Sequence, residues 1–453
     1  MLKKQSLILW LLLVTVTAGY SQARKIEFTE YDLPNGLHVI LHQDNTTPIV
    51  AVTVLYHVGS KNEDPNRTGF AHFFEHLLFE GSENIKRGEF DKYISGAGGT
   101  NNANTSFDRT FYHEILPSNQ LELGLWLESE RMLHAKIENV GVETQREVVK
   151  EEKRLRMDNQ PYGSILTELL KRAYTVHPYQ WAPIGSIEHL NAASLNEFIQ
   201  FYKTFYVPEN ATLSIAGDID IEQTKTLIAR YFKDIPKGGK TIPRPTVVEP
   251  PQKAEIRDVV FDNIQLPAVI QAYHVPAQGT PDAYALDMLS TLLSGGQSSR
   301  LYKALVDEQK KALQVGAYPL PTEAPGLYIT MGFVNMGVDI TDLETAMDAE
   351  IAKVQKELIS EKEFQKIRNQ VESNFVQQNS SAAGIAENLA NYHVYFKDAN
   401  LINTELDKYM KVTREDLQRV AKKYLVKENR VVLHYLPKSA QSKPENTQIK
   451  KDN

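Results

Sequence analysis

Apolar and polar residues alternate early in the chain with the two-residue period of a strand. Leu37, Val39 and Leu41 fall on one face, and His38, Ile40 and His42 on the other. The run from Ile49 to Tyr56 is almost wholly apolar and predicts a second, more buried strand. The period then lengthens: residues 68–80, 118–135 and 140–157 carry apolar positions three and four apart, which predicts helices. Strands interleaved with helices, with hairpin-like strands at the segment ends, predict an α+β fold of mostly antiparallel sheets with helices on one face. Two stretches break the pattern. Residues 237–252, with Gly238, Gly239, Pro243, Pro245, Pro250 and Pro251, have linker composition. The polar residues 439–453 have that of a disordered tail.

The segments 24–236 and 253–438 that remain match at an offset of 219 residues. Ser194-Leu195-Asn196-Glu197-Phe198 aligns with Thr413-Arg414-Glu415-Asp416-Leu417, each a Ser/Thr cap followed by acids in a first helical turn. Phe205 to Asn210 aligns with Tyr424 to Asn429, and a strand-like run follows in each. Two homologous domains are therefore expected. Ahead of them, Lys3 and Lys4 precede an apolar run, Leu7 to Ala18, whose 12 residues are too short to span a bilayer. Ser21 and Ala23 place small residues around a cleavage site, so residues 1–23 read as a signal peptide. No cysteine follows to carry a lipid, so export without a membrane anchor is expected.

Composition narrows the chemistry. With 453 residues and 42% hydrophobic positions, the chain has ample material for packed cores. Lys+Arg 50 against Asp+Glu 57 gives a net charge of −7, and losing Lys3 and Lys4 with the signal peptide takes it to −9. That balance argues against a nucleic-acid partner. The absence of cysteine removes disulfides, thiol nucleophiles and thiolate zinc sites.

The chemistry that remains concentrates in Thr68–Gly81, where His72, Glu75, His76 and Phe79 share one helical face and Gly81 is placed to end the helix. Imidazoles one turn apart can reach one ion at about 2.0–2.1 Å, with Glu75 beside it to move a proton. This is the inverse of the HExxH zinc-protease motif. Twelve histidines predict about 0.02 such pairs with an inner Glu by chance. His38 and His42 are also four apart, but a strand separates them by roughly 13 Å, too far to share an ion.

A catalytic zinc takes a third protein ligand and keeps a position for water. No further histidine is convincingly placed, so a carboxylate on the helix around Gln145–Arg156 is expected. With Val148 as zero and about 100° per residue, Val149 lies at about 100° and Leu155 at about −20°. Glu152, at about 40°, is centred on that apolar face, with Glu151 at about −60° and Glu147 at about −100°. Glu152 is the expected ligand because a carboxylate on a buried face needs a partner, with Glu151 the alternative. Gln145 lies one heptad before Glu152 and is expected to support the same site.

On these residues the chain resembles the pitrilysin or insulinase family of inverted-motif zinc metallopeptidases, and within it the short, processing-peptidase-like bacterial members. The stretch Arg146–Glu152 matches the family's pattern, although 75 residues lie between His76 and Glu152, one fewer than usual, and Gln145 stands where a Glu is customary. Gly98–Thr105 followed by Thr110-Phe111-Tyr112 is similar to the family's substrate-binding strand, which makes Asn102 and Ala103 contact positions for an extended peptide. His177–Gly185 is also similar to a family segment and reads as structural, and Ser294–Tyr302 looks like the start of the second domain's main helix. The resemblance implies one Zn2+ per chain, half of a clamshell chamber, and peptide or unfolded-polypeptide substrates. For a bacterial chain, export then points to the periplasm.

One departure bears on partners. Where many members carry an Arg and a Tyr facing the substrate, this chain has Val306 and Leu313, which offer no hydrogen-bond donor. The expected assembly is a heterodimer whose second short chain supplies that pair, or else a homodimer. The alternative to an endopeptidase is a non-catalytic assembly or peptide-binding subunit that keeps the fold.

Overall fold

The computed structural model describes residues 25–239 and 241–441, so the expected signal peptide and most of the expected tail lie outside the described residues. Strands β1 (Thr29–Asp32), β2 (His38–Gln43), β3 (Ile49–Tyr56), β4 (Thr100–Thr105), β5 (Thr110–Pro117) and β6 (Ala211–Gly217) form one sheet in the order β1-β2-β6-β3-β5-β4. Strands β7 (Ile256–Asp262), β8 (Ala268–Val275), β9 (Ala312–Leu320), β10 (Gly326–Val334) and β11 (Arg430–Pro437) form another, in the order β7-β11-β8-β10-β9. β2 runs parallel to β6 and β7 parallel to β11, while every other pairing is antiparallel.

The two halves repeat one plan. Helices Leu195–Phe205 and Arg414–Tyr424 each open on a reciprocal capping box, Ser194 with Glu197 and Thr413 with Asp416. Each is followed by a short 3-10 turn, Pro208–Asn210 or Lys427–Asn429, and then by β6 or β11. The 219-residue offset carries each of these boundaries up to the start of the strand.

Each sheet packs its own helices on one face: Val39, Leu41, Val52 and Val54 meet Phe73, Phe74, Leu125 and Phe198 in the first. The opposite face is not left to solvent. There Ile40, Ala51 and Ala216 are covered by Ile385, Ala386 and Leu389 of the helix Ala382–Phe396, which belongs to the second half. In return, Leu169, Leu170 and Ala173 of the helix Ile165–Ala173 pack on Ala268, Ile270, Val431 and Leu433 of the second sheet. The near-continuous apolar run of β3 has this cause, since a strand apolar on both faces needs two covers.

A buried charge cluster adds to the junction. Lys61 Nζ lies 2.9 Å from Asp108 Oδ1 and also bonds Glu323, on the β9–β10 turn of the second half. His57 Nε2 is 2.8 Å from Glu323 Oε2, the Tyr179 hydroxyl donates to Asp108 Oδ1 at 2.6 Å, and the Glu323 N–H donates to Asp108 Oδ2 at 3.1 Å.

Some expected boundaries shift. The helix over 68–80 is shorter, Phe70–Leu77, and Phe79 leaves the histidine face to pack its ring on Phe90 and Tyr112. Ser294-Gly295-Gly296 ends the helix Pro281–Ser294, with Gly296 at a left-handed φ of 93°, and the expected helix start within Ser294–Tyr302 falls only at Arg300, from which a helical run continues to Glu308. Among the described residues, no helix is long and apolar enough to cross a membrane.

Candidate metal centre

The helix Phe70–Leu77 starts at Gly69, whose φ of 94° suits glycine, and a Cβ there would stand 2.9 Å from the Ile184 carbonyl. Gly69 has no side chain to cap the helix, and Glu63 takes that role. The Gly69 and Ala71 N–H groups each donate to its carboxylate at 2.8 Å, and Trp181 Nε1 donates at 3.1 Å. The helix is thereby fixed at its origin by hydrogen bonds to a buried carboxyl group. Burial pushes the Glu63 carboxyl up to about 8, against the hydrogen bonds from Ala71, Gly69 and Trp181.

One turn apart on this helix, His72 Nε2 and His76 Nε2 lie 3.4 Å from each other. Glu152 reaches them from the end of the helix Asn139–Lys153, its Oε2 3.0 Å from His76 Nε2 and 3.4 Å from His72 Nε2. Ligands at about 2.0–2.1 Å in tetrahedral array stand about 3.3 Å apart, so three vertices have the spacing of a zinc site. Glu152 Oε2 is buried without a hydrogen-bond partner, which is the condition of a carboxylate oxygen shaped for a cation. The donor set, two imidazoles and a carboxylate, fits zinc. Burial and then His76 push the His72 imidazole down, leaving it neutral with a lone pair to give. The His76 contact holds Glu152 ionised, with Arg156 on its other oxygen at 2.7 Å.

Glu75 sits on the same turn, and its carboxylate and the two imidazole nitrogens fall within 4.8 Å of one another. Thr105, at the end of β4, donates its hydroxyl to Glu75 Oε2 at 2.6 Å. Burial raises the Glu75 carboxyl, bringing it toward the range of a working general base.

The other expected residues are placed as follows. Glu151 points away into an ion pair with Arg154 at 2.5 Å, and Glu147 pairs with Lys150 at 2.7 Å. Gln145 does not hydrogen-bond His72, His76 or Glu152 among the described residues; its amide donates to Glu80 Oε1 at 2.5 Å, and Glu80 pairs with Arg87. Asn102 and Ala103 lie on β4, the edge of the first sheet, where the Ala103 N–H donates to Asn102 Oδ1 at 2.9 Å and so is not used in the ladder. Val306 is half-buried, and Leu313 is exposed on β9, the edge of the second sheet. His177 caps a short turn by accepting the Tyr179 N–H at 3.2 Å.

Glu63 was not singled out from sequence, because it acts across a loop. Thr105 and Trp181 fall in segments that were noted, the substrate-binding-like strand and His177–Gly185, but without their contacts to Glu75 and Glu63.

Residues 38–182 match the family model described as Insulinase (Peptidase family M16), and residues 192–371 match the one described as Peptidase M16 inactive domain. A relative from Helicobacter pylori named zinc protease PqqE is 33% identical over 417 residues, which cover 91% of this chain and 94% of the relative. The solved structure of a Helicobacter pylori protease superposes with a TM-score of 0.87 at 31% identity, covering 91% of this chain and all of that one. At 18% identity, where the likeness speaks for the fold, the periplasmic protease PqqL from Escherichia coli gives a TM-score of 0.73 over 92% of this chain and 48% of its own. The chain belongs to the M16, or insulinase, family of peptidases.

Proposed function

We propose that this chain is an exported, zinc-dependent endopeptidase that hydrolyses peptides or unfolded polypeptides as the zinc-bearing half of a dimer. The observation that carries the reading is the triangle of His72, His76 and Glu152 ligand atoms, with edges of 3.0–3.4 Å, beside a half-buried Glu75 on the same turn. Zinc bound to these three residues would supply a Lewis acid that polarises the scissile carbonyl and lowers the pKa of the attacking water. Glu75 takes the proton from the water and returns it to the leaving amine. Thr105 holds one Glu75 oxygen in place, leaving the other to face the reaction. The free edge of β4 orients an extended substrate through backbone groups around Asn102 and Ala103. Gln145 acts one layer further out, through Glu80.

Val306 and Leu313 bring no charge or donor to the substrate, so a partner chain, from a second short family member or a second copy, completes the chamber. The apolar run Leu7–Ala18 supports export, and the periplasm is the proposed compartment, as it is for the Escherichia coli protease PqqL.

The test is cleavage of an unstructured peptide by the purified chain, with and without a chelator and with and without a co-expressed second short chain. Cleavage that the chelator stops and zinc restores, and that the second chain enhances, is expected. Peptide binding without cleavage under every condition overturns the reading and leaves a binding subunit.

A further inference from the structure

A second group of metal-ligand side chains lies where the two halves meet. Strand geometry keeps His38 and His42 apart, and His42 Nδ1 is instead 2.6 Å from the Glu27 carbonyl. His38 meets His393, on the helix that the second half lays across the first sheet, with ring centroids 3.4 Å apart and planes within 8°. Glu30, on β1, completes the group, and one ligand atom from each of the three lies within 4.8 Å of the others.

Two carboxylates, Glu30 and Asp32, flank the His38 ring. His38 Nδ1 is 2.8 Å from Asp32 Oδ1, a contact through which Asp32 can hold the Nδ1–H tautomer when Nε2 binds a metal. Nε2 is buried, has no hydrogen-bond partner, and faces Glu30 Oε2 at 3.3 Å. That distance is about the tetrahedral ligand–ligand edge of a zinc site. Carboxylate, imidazole, metal is also the usual order in which a second-layer acid fixes the tautomer of a ligating histidine. Burial pushes the His393 imidazole down to about 4, which favours its ligating, neutral form. In the face-to-face stack only one ring can aim its in-plane lone pair at a shared ion, so ligation turns the His393 ring out of the stack. Among the described residues no side-chain hydrogen bond opposes that turn.

We propose that Glu30, His38 and His393 form a second binding site for a divalent transition-metal cation, zinc foremost, which fastens the strand edge of the first half to the bridging helix of the second. Two imidazoles and one carboxylate select zinc over magnesium or calcium. Asp32 orients His38, and the exposed side of Glu30 leaves a coordination position for water.

The experiment separates this site from the motif centre. In the full chain carrying His72→Ala and His76→Ala, one zinc equivalent should still bind at low-micromolar concentration, raising the melting temperature where magnesium does not. His393→Ala or Glu30→Gln in that background should weaken this equivalent about 100-fold or more. In case the motif variants fold poorly, zinc stoichiometry of the otherwise native chain should fall by one on His393→Gln, with its peptidase-site zinc retained. Absence of zinc binding in the folded motif variant overturns the proposal. So does an equivalent that is indifferent to both His393→Ala and Glu30→Gln.

Discussion

Lys61→Met tests whether the second half supports the site on the first. Lys61 and Asp108 are almost fully buried, and Glu323 keeps only 22% of its side chain exposed. Burial by itself would raise the Glu323 carboxyl, yet His57 and Lys61 hold it down from 4.5 to about 2. At 1.36 kcal/mol per unit, that depression is worth about 3 kcal/mol. The sign follows from the direction. A depressed acid stabilises the fold fully above its unfolded value and loses that contribution as pH falls toward its folded value, with about 2 kcal/mol gone by pH 3. Removing the Lys61 charge strands two acids at a buried junction, where breaking one partner of a pair costs about 3–5 kcal/mol. Urea denaturation of wild type and Lys61→Met should therefore differ by about 3 kcal/mol at pH 7, the gap narrowing between pH 5 and pH 3 as Glu323 takes up its proton. The double variant Lys61→Met/Glu323→Gln should regain part of the loss, because it removes the stranded charge as well. A difference below about 1 kcal/mol at pH 7, or one that stays constant across the acid range, refutes the reasoning.

Other substitutions probe the centre directly. Glu75→Gln should keep stoichiometric zinc by elemental analysis while turnover falls by about 10²–10⁴; retained cleavage would remove Glu75 from its role. His72→Ala should lose both metal and activity, and unchanged metal content would move the site elsewhere. Thr105→Val should lower kcat by about tenfold with KM nearly unchanged, and Thr105→Ser should restore it; a matching fall with Ser would make Thr105 a packing residue only. Gly69→Ala should destabilise the chain by about 2 kcal/mol or more in chemical denaturation, because the left-handed φ and the Ile184 carbonyl both resist a Cβ.

The sequence was most legible where one local period decides the structure. The strands at His38–Gln43 and Ile49–Tyr56, the inverted motif on its helix and the repeat at 219 residues all rest on local signals. Glu152 is more instructive. The wheel placed it amid a buried face defined by Val148, Val149 and Leu155, yet Val148 is 42% and Leu155 55% exposed, while Val149 is buried. The buried arc is centred on Val142 and Val149, and Gln145 and Glu152 lie on its flank, so the face that singled out Glu152 is not the buried one. Apolar character alone did not tell a face packed in the core from one left bare beside the site. Phe79 misled in the opposite sense, because the helix stops at Leu77 and the next residues turn its ring into the core. Glu63, Thr105 and the Glu323 cluster were not legible because each acts through residues distant in sequence.

The exchange of covering helices gives the second half a role without chemistry of its own. The first sheet carries the motif helix on one face, and its other face is closed by Ile385, Ala386 and Leu389 from residues 382–396. Without that helix, Ile40, Ala51 and Ala216 would meet water, and the strands beneath the motif helix would lose one of their two covers. The charge cluster works in the same direction from the other side of the site. Glu323 grips Lys61, two residues before the Glu63 that holds the start of the motif helix. A spacing of 3.0–3.4 Å among three ligand atoms tolerates little drift, so both contacts bear on the position of His72 and His76. The half that lacks the motif thus bears on the site through what it packs against.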